Sequence, residues 1–272
     1  MDDILLEDVD ASHNNWRGER WGTTTWFVSG FKLLDVTDVV VRRMTTSHNR
    51  AIGFWLDSDI ARTTIDGLVA NHNWEEGVHL EAADGPIYLR DSVVCANRKA
   101  GVAGRDADNI ILERCLLANN AGAQLEVKGE QPRGDSDGEL FIGRGKSRDA
   151  HRRFPRHYAL HDCAVGCIGI NSHSLISARL KGANMTPEKQ RALHAAFVST
   201  LSTQGNVWFA SKDSAAFQAE DDSPLDFAGW LKLAPDRSAR WNEEALHTRL
   251  HIAGAPTEVV ATIAPSVGET NA

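Results

Sequence analysis

Side chains capable of acid–base and ionic chemistry recur at matched places in the first half of this 272-residue chain. They fall in a repeated phrase: GFKLL at Gly30, GFWLD at Gly53, GVHLE at Gly77, GVAGR at Gly101 and GAQLE at Gly122. Read downward, one column holds Lys32, Trp55, His79, Ala103 and Gln124, and the next holds Leu34, Asp57, Glu81, Arg105 and Glu126. If successive phrases lie on neighbouring strands, equivalent residues stand about 4.8 Å apart. Asp57 and Glu81 are then adjacent, and two carboxylates that close cannot both ionise freely, so one is expected to keep its proton. A protonated acid beside a charged nucleophile or base is what glycosidic cleavage requires, and the rung spacing lies near the retaining separation of about 5–5.5 Å. His79 would modulate the pair, Trp55 would offer a flat platform to a sugar, and Lys32 and Arg105 would bind substrate. The plain alternative is a solvated charge ladder in which Asp57, Glu81 and Arg105 compensate one another.

Aromatic residues sharpen the first of these readings. Five of the eight tryptophans lie in the first 74 residues, and Trp16, Trp21 and Trp26 share one segment, HNNWRGERWGTTTWFVSG. Long loops on rigid scaffolds often carry binding function. Trp16, Trp21 and Trp74 are therefore candidate sugar-stacking residues, and Arg17 and Arg20 could grip a carboxylate or hydroxyls bidentately. His13, His48 and His72 fall in one column, but rung spacing is too long for all three to ligate a metal, so stacked turn histidines are expected. Asp57 with Asp59, or Asp84 with Asp106, give a weak Ca²⁺ signal; no cofactor is otherwise expected. The four cysteines, Cys95, Cys115, Cys163 and Cys167, lack paired CxxC spacing and read as buried free thiols.

The elements that would position these residues show in a second repeated phrase. It reads ILLEDVDASHN from Ile4, VVVRRMTTSHN from Val39, TTIDGLVANHN from Thr63, IYLRDSVVCAN from Ile87 and IILERCLLANN from Ile110. Each ends on an asparagine: Asn14, Asn49, Asn73, Asn97 and Asn120. Both phrases alternate apolar and polar positions with period two, as a strand with one buried face does. Two or three short strands per coil, separated by Gly/Asn turns, predict a parallel β-helix. Ile4, Val39, Thr63, Ile87 and Ile110 should stack inward, as should Leu6, Val41, Ile65, Leu89 and Leu112. Val9, Met44, Leu68, Ser92 and Cys115 make a third inward column, and the asparagines a side-chain ladder at a turn.

The coils from His48 to Asp57 and from His72 to Glu81, with the repeated I-x-L-x-x-C/V strand, resemble the pectin-lyase-like superfamily, in particular its right-handed parallel β-helix repeat proteins. The stretch LDFAGWLKLAPDRSARW, from Leu225 to Trp241, is similar to a closing segment in that family. The resemblance implies an all-β, right-handed parallel β-helix with a short helix and loop excursions in the C-terminal half. It also implies a secreted or periplasmic setting. Its members include polysaccharide lyases, glycoside hydrolases, uronan epimerases and proteins of unassigned function, so fold alone does not name an activity.

One β-helix domain is expected over 1–241, with coils at 4–127, an excursion at 128–155, and C-terminal coils and a helix at 156–241. Residues 242–272 read as a tail covering the coils or poorly ordered. In the second half YALHDCAV resumes the strand phrase, SHSLISARL reads as a strand, Thr186–Leu201 carries a helical signal with proline at its first position, and Asn206-Val-Trp-Phe reads as a final strand. The formal net charge of −8 argues against a nucleic-acid partner. With no long apolar run, no membrane span is expected. Met1-Asp2-Asp3 lacks the features of a signal peptide and leads straight into ILLEDV without a cap, so a fragment missing its upstream coils is expected.

Three functional readings follow. The first is a glycoside hydrolase acting on a polysaccharide with Asp57 and Glu81 as its carboxylate pair. The second is a polysaccharide lyase or uronan C5-epimerase, its base His79 or Lys32 and its substrate carboxylate neutralised by Arg105. The third is a non-catalytic glycan-binding or structural stack.

Overall fold

A computed structural model describes residues 2–16, 28–129, 155–168, 175–179, 186–211, 215–218, 223–236 and 238–254. Among these residues the chain visits three sheets in turn, once per coil. The first sheet runs from Asp2–Glu7 through Thr37–Arg42, Ala61–Asp66, Ile87–Arg90, Ile110–Glu113 and Ala159–His161 to Ser202–Gln204. The second begins with Ser29–Leu34, Ile52–Asp57, Val78–Glu81, Val102–Arg105, Leu125–Lys128 and Ile176–Arg179. The third stacks Val69–Asn71, Val93–Cys95, Leu116–Ala118, Ala164–Cys167, Val207–Ala210 and Arg240–Trp241. Strand pairs are parallel except where Phe217–Gln218 meets Pro224–Leu225 at the end of the second sheet. The molecule is a right-handed parallel β-helix, the hand that strand-to-strand crossovers adopt almost without exception.

Period-two patterning explains the core. Ile4 pairs with Val39, Val39 with Thr63, Thr63 with Ile87 and Ile87 with Ile110, and the Leu6–Val41–Ile65–Leu89–Leu112 column keeps the same register. From Val39 and Val41 onward these side chains are at most 1 % exposed, while Leu5 on the alternate face is 59 % exposed. Met44, Leu68, Ser92 and Cys115 are likewise buried. Slipping the register by one residue would turn every one of these columns out to water, so burial itself locks the pairing.

The asparagines form the ladder that the sequence predicts. The Asn49 side chain donates to Asn73 Oδ1 at 3.0 Å, Asn73 to Asn97 at 2.9 Å, and Asn97 to Asn120 at 2.8 Å. Each of these oxygens also accepts the backbone N–H of the asparagine one coil earlier. Four residues after Asn49, Asn73 and Asn97 the sequence has glycine, and the ladder is the reason. A Cβ on Gly53 would lie 2.5 Å from Asn73 Nδ2 and 2.6 Å from the Gly77 carbonyl oxygen. Four residues after Asn120 stands Gln124 instead, and its Oε1 accepts from Asn120 Nδ2 at 2.7 Å, closing the ladder with a side chain from the same coil.

The C-terminal half closes the stack with aromatic residues and helices. Helix α1 (Pro187–Thr200) buries Phe197 edge-on against Tyr158, with ring centroids 5.5 Å apart. Helix α2 (Phe227–Leu233) starts at Asp226, whose carboxylate accepts the Gly229 N–H, and stacks Trp230 on Phe217 at 4.8 Å. Val207–Ala210 is not the last strand, because Phe217–Gln218, Pro224–Leu225 and Arg240–Trp241 follow it. These strands are only two residues long, too short for an alternation to show in the sequence. Helix α3 (Glu243–Ile252), capped by Asn242, lays Leu246 and Leu250 against the outer face of the third sheet. None of the described helices is long and apolar enough to cross a membrane.

Candidate functional site

The outer face of the second sheet gathers the chemistry-bearing residues. Lys32 pairs with Trp55 and Trp55 with His79, while Leu34 pairs with Asp57, Asp57 with Glu81 and Glu81 with Arg105. Lys32 Nζ lies 2.7 Å from Asp57 Oδ2 and 3.4 Å from the centre of the Trp55 ring. Ser58 Oγ donates to the other Asp57 oxygen at 2.9 Å. Trp55 meets His79 edge-on at 5.4 Å and is only 3 % exposed. Its ring therefore carries an ammonium and an imidazole. Trp55 is an element of the layer rather than a bare platform.

His79 stands between two acids. Its Nε2 is 3.7 Å from Glu81 Oε2 and its Nδ1 is 4.0 Å from Glu76 Oε2. Arg105 approaches the other Glu81 oxygen at 3.8 Å. All three separations exceed hydrogen-bond distance, so these pairs are Coulombic neighbours, unlike the close Lys32–Asp57 pair. Asp57 and Glu81 thus face different cations, Lys32 from the coil before and Arg105 from the coil after.

The fifth phrase departs from the expected register. Glu126 pairs with Ala103 and Lys128 with Arg105, so Gln124 does not continue the His79 column and Glu126 does not continue the Arg105 column. The alignment on Gly122 is two residues out, because Gln124, not Gly122, is the ladder-closing equivalent of Gly101. Counting four residues from Asn49, Asn73, Asn97 and Asn120 recovers the true register of these coils from sequence alone. The consequence is chemical: below Arg105 comes another cation, Lys128, itself 2.8 Å from Glu126.

Reading the phrases also missed the turn before the strands. Glu75 and Glu76 are 6 % and 8 % exposed, and Lys99 from the next coil pairs with Glu75. Lys99 also feels Glu76 and Glu126, and together these acids hold its ammonium pKa above the ordinary value against the opposing effect of burial, the largest single influence. An alternation test is blind to these residues because they lie in turn backbone.

The remaining predicted residues lie apart from this cluster. Trp16 is exposed at 65 % near the end of the stack. Trp74 lies in the turn after the asparagine ladder, with Arg50 and Arg98 guanidinium carbons 4.8 and 4.1 Å from its ring. Arg17, Arg20 and Trp21, together with Trp26, lie outside the described residues. His13, His48 and His72 stack nearly parallel at 5.0 and 4.7 Å. Burial first, and the neighbouring imidazole second, lower the pKa of both His48 and His72. Face-to-face rings point their nitrogens sideways rather than at a common centre. Among the described residues no group of three or more His, Cys, Asp or Glu side chains is placed to hold a metal ion. All four cysteines are free and buried, and burial pushes the Cys95 and Cys167 thiols up to about 12.

No protein family matches the chain, and no curated protein does. Among solved structures, the periplasmic alginate epimerase AlgG is similar with a TM-score of 0.45 and 16 % identity over 66 % of this chain. The A-module of the Azotobacter vinelandii mannuronan C-5 epimerase AlgE4 gives 0.38 and 14 %, again over 66 % of this chain. This chain spans 41 % of that AlgG structure and 54 % of that AlgE4 module. The strand pairing of the chain itself establishes its parallel β-helix.

Proposed function

We propose that this chain is a carbohydrate-active β-helix protein that binds an acidic polysaccharide across the second sheet and abstracts a proton beside a uronate carboxylate, the chemistry of a polysaccharide lyase or C5-epimerase. The observation that carries the reading is the succession of Arg105 and Lys128 on the two rungs that follow His79, in the neighbouring column. A uronate carboxylate held by the two cations loses charge repulsion against an adjacent carbanion, which makes the C5 proton acidic. Ala103 separates His79 from Glu126 in its column and leaves the imidazole at the edge of that seat. His79 takes the proton, and Glu76 and Glu81 on its two sides stabilise the imidazolium that results. The bond electrons left at C5 then either expel the O4 leaving group, which collects a proton, or accept a proton on the opposite face. The Arg105–Glu81 separation is 3.8 Å, longer than a hydrogen bond, so a sugar carboxylate competes with Glu81 for Arg105. Hydrolysis by Asp57 and Glu81 is less well supported, because Asp57 is held by Lys32 at 2.7 Å and is 5 % exposed. The similarity to proteins named as alginate and mannuronan epimerases is of the same character as this reading, and AlgG is described as periplasmic, the setting proposed here.

The test is incubation of the full chain with a panel of polyuronates in D₂O. Elimination gives an ultraviolet-absorbing unsaturated end, and epimerisation gives deuterium at C5 by NMR. His79→Ala should lower either signal about 100-fold or more. New reducing ends with neither signal would instead select hydrolysis and sink the proton-abstraction reading.

A further inference from the structure

Arginines in these coils almost always meet an acid. Arg43 is bidentate to Asp8, Arg62 to Asp38 and Arg114 to Asp91, each across one rung. Arg42, Arg90, Arg105 and Arg156 likewise lie within 4.0 Å of a carboxylate. Arg50 and Arg98 are different. Among the described residues neither side chain has a carboxylate within ion-pair distance, and what each meets is the indole of Trp74, from the coil before and the coil after. Among the described residues, this arrangement holds two cations in place with an aromatic ring rather than an acid as neighbour.

We propose that Arg50 and Arg98, positioned by Trp74, form a binding strip for an acidic glycan at the border of the second sheet, separate from the cluster around His79. A cation–π contact uses no N–H donor, so the donors, which lie in the guanidinium plane, stay available for carboxylate or sulfate oxygens. The two arginines are two rungs apart, about 10 Å. An extended glycan ribbon turns its substituents to the same side at every second sugar, so two anionic groups of one chain meet the two guanidiniums in turn. A single small anion cannot bridge that gap. Single-stranded nucleic acid needs an open aromatic face for its bases, and here Trp74 already carries cations. The strip extends the acidic-polysaccharide reading above, but binding rather than turnover decides it.

Full-length protein is titrated by calorimetry with polymannuronate, dextran sulfate, neutral dextran and oligo-dT at two salt concentrations. The expected result is binding of an anionic glycan that weakens with salt, and a loss of about tenfold for each of Arg50→Gln and Arg98→Gln. Arg50→Lys and Arg98→Lys, which keep the charge without the planar fork, should fall between, and Trp74→Leu should weaken binding although both charges remain. Unchanged melting curves establish that the variants fold. Binding of dextran sulfate alone supports the strip while removing the polyuronate reading of the sheet. Binding of polymannuronate without any C5 chemistry supports the strip and sinks only the catalytic proposal. No binding of either anionic glycan, equal binding of neutral dextran, undiminished binding by the double Gln variant, or tighter binding of oligo-dT would each overturn the inference.

Discussion

The second and third sheets come from the same coils, yet their outer faces are opposite in character. On the second, Lys32, Asp57, His79, Glu81, Arg105 and Lys128 interlock in a charged layer. On the third, Cys95, Leu116, Ala118, Ala164 and Ile168 make an apolar face that Leu246 and Leu250 of α3 cover. An uncovered apolar face of that size would be an aggregation hazard, and the helix removes it from water. Charged side chains need no such cover, because each finds an opposite charge on its own rung or the next. The difference teaches where to look for function. The covered apolar face serves stability, and the charged face is the one on which the proposed ligand binding rests.

Substitutions can break this contrast, and the largest effect is expected on the covered face. Leu246→Asp puts a carboxylate without a partner between α3 and the third sheet, and should cost about 3–5 kcal/mol by chemical denaturation. On the second sheet Glu81→Gln weakens the 3.7 and 3.8 Å pairs to His79 and Arg105 and should cost less, about 1 kcal/mol. If the two substitutions cost the same, the division into a stabilising and a ligand-facing side is wrong.

Next in size is Gly53→Ala, which tests the turn that leads into the charged face. Its Cβ would collide with Asn73 Nδ2 and with backbone of the next coil, so about 2–4 kcal/mol should be lost. A cost below about 0.5 kcal/mol would show that the asparagine ladder is not what demands glycine there.

The smallest effect concerns pH. His48 and His72 have pKa values lowered from 6.5 in the fold, so the unfolded chain binds protons more readily than the native one below that pH. The contribution of the imidazole stack is complete above pH 6.5 and declines as pH falls toward the lowered native values. Melting temperatures of the wild type should therefore drop on acidification more than those of the His48→Asn, His72→Asn double variant, in which asparagine suits the positive φ of 57° and 55°. Parallel pH profiles would remove the stack from the account of stability.

Much of the fold is legible in the chain because a parallel coil repeats its instructions. The inward columns from Ile4 and Leu6 read directly, since period two and burial point the same way. Adjacency of Asp57 and Glu81, and of Trp55 and His79, follows from the same repeat. The failure at Gln124 is informative. Gly122 imitates the glycine of the earlier phrases, yet the physically required glycine is the one four residues beyond an asparagine, and at that position the chain uses Gln124 to end the ladder. A rule drawn from the collision at Gly53 would have placed Lys128 below Arg105 without a structure.

The amino-acid sequence by itself thus determined the parallel β-helix, its three inward columns, its asparagine ladder and the face on which Asp57, His79, Glu81 and Arg105 meet, because each depends on a period counted along the chain. Only the tertiary structure decided the partners: Lys32 across both Asp57 and Trp55, His79 between Glu76 and Glu81, Arg50 and Arg98 on Trp74, and α3 over the third sheet. The reason is that a repeat specifies which residues share a rung. Which of several charges or rings within reach a long side chain turns to depends on its rotamer and on packing from distant coils, and no periodicity records that.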